Sequence, residues 1–214
     1  RNLMNARTYN LNTEAAKSAD QMGNRITETG KYIGKFVSAE AITSTKQTEG
    51  IEFSFVANDG RSADFLTLWT YNNEGKELYG LKTLNALMTC MRVKRITPQP
   101  GVVEKWENGG KVKKQATVFP DLMGKPIGVL LQREPYEKKD GSTGYKFNIY
   151  AAFDAASEMM ASEILDKATK ADKLGKLVAG LTDRKMSAPM AGATPSGKNT
   201  ADDPFGDMSD DINF

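Results

Sequence analysis

Three apolar runs with strand periodicity, one helical stripe and then two further strand runs predict a mainly β protein with helices. That order is the order of a five-stranded OB-fold barrel with a helix between strands three and four. The same elements would also build other small barrels and α+β sheets. The first run, Lys31 to Val37, carries Tyr32, Ile33, Phe36 and Val37, and Gly34 interrupts it as a bulge or a close backbone approach. In the second, Ile51, Phe53 and Phe55 alternate with Glu52 and Ser54, and Asn58-Asp59-Gly60 supplies a tight turn. The third, Ala63 to Tyr71, divides into Leu66 and Leu68 on one side and Phe65, Thr67, Trp69 and Tyr71 on the other. After Asn72-Asn73-Glu74-Gly75, the residues Leu78, Leu81, Leu84, Met88 and Met91 recur at helical spacing, with Cys90 as a small buried neighbour.

Residues 92–126 follow no clear period and hold Pro98, Pro100, Pro120 and Pro126, so they read as a long basic insertion with a small hairpin flanking Asn108. Ile127–Glu134 and Tyr145–Phe153 then read as a strand pair. Residues 157–181 read as one C-terminal helix presenting Met160, Ile164, Ala168, Ala171, Leu174, Val178 and Leu181. The organisation expected is a polar N-terminal arm over 1–29 with a short helix from Thr13 to Met22, a domain over 30–183, a flexible linker over 184–201 and an acidic tail over 202–214.

The formal net charge is +2, but it is unevenly spread. Residues 92–146 hold twelve bases and six acids, whereas 186–214 hold one base and five acids. A basic body with an acidic tail points to a polyanionic partner and a recruiting or regulatory segment. In the tail, Asp207, Asp210 and Asp211 suit long-range steering to a basic partner, and Ile212 with Phe214 suits insertion in a pocket. One cysteine and no histidine exclude an internal disulfide, a zinc site of the usual Cys/His kind and histidine-dependent catalysis. No enzyme, metal or cofactor is expected. No apolar run nears the roughly 18 residues of a membrane span, so a cytoplasmic protein without membrane contact is expected.

The barrel order, the linker and a tail ending in Asp210-Asp211-Ile212-Asn213-Phe214 resemble the single-stranded DNA-binding proteins of bacteria and their phages. The bacterial tails end in acids followed by Ile-Pro-Phe, and Asn213 stands in the central place here. The insertion at 92–126 and the late helix are more similar to the phage replication proteins of this class, which would act in the cytoplasm of the bacterial host. The resemblance implies single-stranded DNA as ligand during replication, recombination or repair, with the tail recruiting other replication or recombination proteins. A recombination mediator or adaptor that uses the barrel as a scaffold is the alternative.

Binding a single strand without sequence choice needs rings for the bases and cations for the phosphates. Candidate stacking residues are Phe65, Trp69 and Tyr71 on the third strand, Tyr32 and Phe36 flanking Lys35 on the first, Tyr150 beside Lys146 on the fifth, and Trp106 in the insertion. Candidate phosphate contacts are Lys35, Lys46, Arg92, Lys94, Arg95, Lys105, Lys111, Lys113, Lys114, Lys138, Lys139 and Lys146. Lys46 falls in the loop between the first two strands, and Lys138 and Lys139 in the loop between the last two, the loops that flank an OB binding face. Deleting residues 202–214 is expected to leave affinity for single-stranded DNA unchanged or raised, while abolishing capture of partner proteins. A gel-shift titration beside a pull-down measures both, and weaker DNA binding would put the tail in the DNA site instead.

Overall fold

The computed structural model describes residues 10, 11, 13, 24–107, 110–138 and 140–185, without the side chains of 106, 107, 110 and 111. Apart from Thr13, the expected arm helix lies outside the described residues, as do the linker from residue 186 and the tail. Seven strands and few helices make up the rest. In chain order they are β1 (Gly30–Thr43), β2 (Glu49–Ala57), β3 (Ser62–Tyr71), α1 (Tyr79–Cys90), β4 (Gln99–Glu107), β5 (Gly110–Val118), a 3₁₀ turn (Pro120–Leu122), β6 (Pro126–Glu137), β7 (Thr143–Phe153), α2 (Ala161–Leu165) and α3 (Lys173–Gly180).

All ladders between these strands are antiparallel and form one open sheet. β1 is its trunk. Of its fourteen residues, the stretch from Gly34 to Thr43 pairs with β2 along one edge, from Gly34↔Ala57 to Thr43↔Glu49. Along the other edge Gly30–Lys35 pair with β6, and further on Glu40 pairs with Val118 of β5. The sheet therefore branches, one limb running through β6 to β7 and the other through β5 to β4. The path β3-β2-β1-β6-β7 is not closed by a ladder between β3 and β7 among the described residues; α1 packs against both strands instead. At Gly34 the structure contains the close approach, and the bulge lies further on, between Phe36 and Ser38.

Alternation in β2 and β3 delivers the core as expected. Ile51, Phe53 and Phe55 point inward with Leu66 and Leu68, and Phe36 joins them, its ring centroid 4.5 Å from that of Phe53 and 5.7 Å from that of Phe55. The inner face of α1 is rotated slightly from the predicted stripe: Leu84, Leu87 and Cys90 are buried, while Leu81 and Met88 are only partly so. Burial pushes the Cys90 thiol up to about 12, so it stays protonated as a small apolar filler.

β6 is buried on both faces. Ile127, Val129 and Leu131 enter the main core, while Leu130 meets Phe153 and Leu174 in a second cluster outside it, capped by Met160, Leu177 and Leu181. An uninterrupted run such as Val129-Leu130-Leu131 is the sequence form of such a strand. The C-terminal segment that covers it is not the single helix expected over 157–181. It breaks into α2 and α3, with Lys167 at φ 53 between them. The Glu163 carboxylate, 4% exposed as a residue, accepts N–H bonds from Met160 at 2.9 Å, Asp172 at 2.7 Å and Lys173 at 2.9 Å. It thus satisfies the amino ends of both short helices, and those bonds hold its pKa below the usual carboxylate range. The chain then lies along β6, where Arg184 N donates to Arg133 O at 2.8 Å and Arg133 pairs with Asp183.

The insertion is more regular than its sequence suggests. β4 and β5 pair from Gln99↔Val118 to Glu107↔Gly110, so the hairpin expected around Asn108 has two nine-residue strands and takes up much of the insertion. Two glycines in helices should respond to alanine with opposite signs. A Cβ on Gly80 would lie 2.2 Å from Trp69 O, so Gly80→Ala must push α1 off β3 and is expected to cost about 1–3 kcal/mol. A Cβ on Gly175 meets nothing within 4 Å, so Gly175→Ala in α3 is expected to stabilise by up to about 1 kcal/mol. Urea melts of the two variants measure both.

Candidate nucleic-acid interface

The outward face of β1, β2 and β3 bears the exposed ring of Phe65, the partly exposed ring of Trp69 and few lysines. Phe65 owes its position to a register slip: Phe53 pairs with Leu66 and Phe55 with Ala63, so Asp64 and Phe65 both stand opposite Ser54. The extra residue puts Phe65 at φ 60, in the left-handed region, with 61% of its surface exposed. An aromatic there costs on the order of 1–3 kcal/mol, and such strain concentrates at functional sites. Four residue pairs along, Trp69 lies against Gly50, where a Cβ would stand 2.8 Å from Trp69 Cε3. Glycine there lets the indole lie down on β2.

A second slip changes the reading of Tyr71. Gly50 pairs with Trp69 but Glu49 pairs with Tyr71, so Thr70 is the extra residue. Thr70 is buried and its hydroxyl donates to Glu49 O at 3.1 Å. Tyr71 consequently leaves the row of Phe65 and Trp69, and lines a cleft with Thr43 and Glu49. Strict alternation, which placed all three rings on one face, fails at this slip.

The middle of the face is acidic. Glu40, Glu52 and Thr67 are in register across the three strands. Lys105 reaches from β4 to within 2.9 Å of Glu40 and ties the hairpin to this face. Burial raises the Glu52 pKa, Lys105 opposes the rise, and Glu40 and Asp64 add to it. Asp64 is met by Arg25 at 3.4 Å.

The remaining predicted positions are scattered. Tyr32 and Phe36 are core residues and offer no face to a base: Phe36 is fully buried, and the Tyr32 hydroxyl donates to Glu28 O at 2.8 Å beneath the Arg61 guanidinium. Their shared parity is the inner one, which leaves Lys35 between them exposed. Tyr150 is half-buried in the second cluster. Lys46 is exposed in the β1–β2 loop, and Lys138 at the β6–β7 turn; Lys139 lies outside the described residues. Lys113 and Lys114 are exposed on β5, while Trp106 and Lys111 are described by backbone alone, paired with each other. Lys94 and Arg95 are exposed after α1, but Arg92 turns to Asp154, 3.5 Å away, and Lys146 stands 3.5 Å from Glu134. Asp207, Asp210, Asp211, Ile212 and Phe214 lie outside the described residues.

Two exposed rings escaped the sequence reading. Tyr145, 55% exposed, carries the Arg133 guanidinium 4.6 Å from its ring centroid. Tyr136 lies over Gly144, whose Cβ would stand 2.5 Å from its Cζ. The signal was a tyrosine on each side of the Gly-rich turn, one of them next to a glycine that could seat a ring.

Among the described residues no group of three His, Cys, Asp or Glu side chains is placed to hold a metal ion, and no helix is long and apolar enough to cross a membrane. No protein-family model matches the chain, and no curated protein matches it.

The pH response of Glu52 can be read from its shift. A carboxyl whose folded pKa is raised stabilises the fold below its unfolded pKa and loses that contribution as pH rises through the folded value. Glu52→Gln is therefore expected to raise the melting temperature at pH 7, with the gain shrinking as pH falls into the carboxylate range. Thermal melts of both proteins from pH 4 to pH 8 measure it.

Proposed function

We propose that this protein binds single-stranded DNA, largely without sequence choice, in replication, recombination or repair, and that its acidic tail recruits partner proteins. The observation that carries the reading is Phe65, an aromatic held at φ 60 by a bulge with its ring exposed, on the same open sheet face as Trp69. A fold gains nothing in its core from such a residue. Stacking a base on an exposed ring is worth about 1–3 kcal/mol, enough to offset the strain on binding.

The topology supports the same reading. The path β3-β2-β1-β6-β7 has the strand order of a five-stranded OB barrel, with α1 after the third strand and set between β3 and β7, and with the β4–β5 hairpin as its insertion. In an OB barrel the loop between the first two strands, here the β1–β2 loop with Lys46, and the loop between the last two, here the β6–β7 turn with Lys138, flank the binding face. Tyr136 and Tyr145 offer two further exposed rings beside the β6–β7 turn.

The alternative, a mediator or adaptor, draws on the exposed Val102 and Val112 of the hairpin and on the acids at the centre of the face, both of which suit a protein surface. Tryptophan fluorescence separates the two. Oligo-dT is expected to quench it and a duplex of equal charge not to, and Phe65→Ala is expected to weaken oligo-dT binding by about 1–3 kcal/mol, with affinity falling as salt rises. Equal response to duplex, or affinity independent of salt and of Phe65, would favour the adaptor.

A further inference from the structure

Thr43, Glu49 and Tyr71 are in register across β1, β2 and β3. With Gln47, Asn72, Asn73 and Gly75 they line an open cleft of about 550 Å³, within the range of small-ligand sites. Both walls are braced from within. In the β1–β2 loop, Ser44 N donates to Thr48 O at 2.8 Å, Gln47 N to Ser44 O at 3.0 Å and Thr48 N to Ser44 Oγ at 3.0 Å. In the β3–α1 loop, Asn72 Oδ1 accepts from Glu74 N at 3.0 Å and Lys76 N at 2.8 Å, while Gly75 N donates to Asn72 O at 3.0 Å. The cleft is thus shaped before any ligand arrives, which lowers the ordering cost of binding.

Its chemistry is that of a base edge rather than of a phosphate. No lysine or arginine is among the lining residues. Among the described residues, the side chains of Gln47, Glu49 and Asn73 make no hydrogen bond or ion pair, so one carboxylate and two amides stand ready beside a tyrosine ring. A carboxylate accepts two parallel donors best. Guanine presents N1–H and N2–H side by side. Thymine has one N3–H between two carbonyls, and cytosine and adenine each set a ring-nitrogen acceptor beside their amino group, against the carboxylate. Amide N–H groups of the Gln47 or Asn73 type match guanine O6. The cleft lies at the end of the sheet beside the ring face rather than on it: Glu49 adjoins Gly50, the residue beneath Trp69, but Thr43, Glu49 and Tyr71 take the opposite parity, so a strand would reach the cleft by turning over the sheet end.

We propose that this cleft is a guanine subsite of the single-strand path, with Glu49 accepting N1–H and N2–H and Tyr71 supplying the ring face; this rests on the single-strand reading above. Binding along the ring face stays indifferent to sequence, and a guanine that turns over the sheet end into the cleft sets the register of the strand.

Fluorescence anisotropy tests it with labelled oligo-dT and the same oligonucleotide carrying isolated guanines, against the wild-type chain, Glu49→Gln and Glu49→Ala. The guanine strand is expected to bind the wild type about 5- to 100-fold more tightly at fixed salt. Both variants are expected to lose that preference and keep their affinity for oligo-dT, and dGMP but not dTMP is expected to compete with the guanine strand. Equal affinities in the wild type, or a preference that survives Glu49→Ala, would overturn the subsite and leave the single-strand reading standing. Glu49-dependent binding of dGMP with no preference between strands would overturn it in favour of a free-nucleotide site. Failure of either strand to bind the wild type would overturn both readings.

Discussion

Gly34 is the residue on which the architecture turns. It pairs with Ala57 of β2 on one edge and Ile127 of β6 on the other, and a Cβ there would stand 2.1 Å from Val56 O. Only a residue with no side chain lets β1 run between two strands at that closeness. Just beyond, the slip between Phe36 and Ser38 bends β1, so that its far edge passes from β6 to β5. The branch in the sheet follows, and with it a division of the outer surface. The β6 side is covered by Phe153, Leu174 and the short C-terminal helices, whereas the β2 and β3 side is left open with its rings and acids.

Two slips in β3 shape the open side. Each inserts one residue opposite β2, and each re-aims a side chain: Phe65 outward at the first, Tyr71 toward the cleft at the second. The inward set, Ala63, Leu66 and Leu68, stays buried through both, so the core holds the strand in place while its outer residues are displaced. This is a way to keep a strained ring on display, because the burial of apolar neighbours outweighs a local penalty of a few kcal/mol.

Much of this was legible, and what was not failed for identifiable reasons. Period-two alternation found the inward residues of β2 and β3, and the Asn58-Asp59-Gly60 turn lies between those strands with Gly60 at φ 87. It could not say which face of β1 is inner: Tyr32 and Phe36 were right as a pair and wrong as a surface, since rings with matching parity serve a core as readily as a ligand. It also could not see the slip at Thr70, which depends on β2 as much as on β3. The broken C-terminal helix escaped because Glu163 accepts bonds from Asp172 and Lys173, contacts that no helical period encodes. The hairpin flanking Asn108 was legible, but its full length was not, because Pro98, Pro100 and Gly101 read as irregular chain and its ties to the body, the pairing of Glu40 with Val118 and the ion pair of Lys105 with Glu40, join residues far apart in sequence.

The acids on the open face constrain how a strand could lie there. Among the described residues Lys105 is the cation that Glu40 and Glu52 share, and the pKa of Glu52 is already raised by burial and by its acidic neighbours. A phosphate placed over them would meet like charge in a partly desolvated setting, where screening is weak. Exposed cations stand elsewhere, Lys46 in the β1–β2 loop, Lys138 at the β6–β7 turn and Lys35 on β1, and the OB reading would set the two loops beside this face. On the proposed reading the backbone therefore follows the rim and the bases turn inward onto Phe65 and Trp69. Stacking then carries more of the affinity than charge, and the salt dependence should reflect the few lysines at the rim rather than the twelve bases counted over residues 92–146.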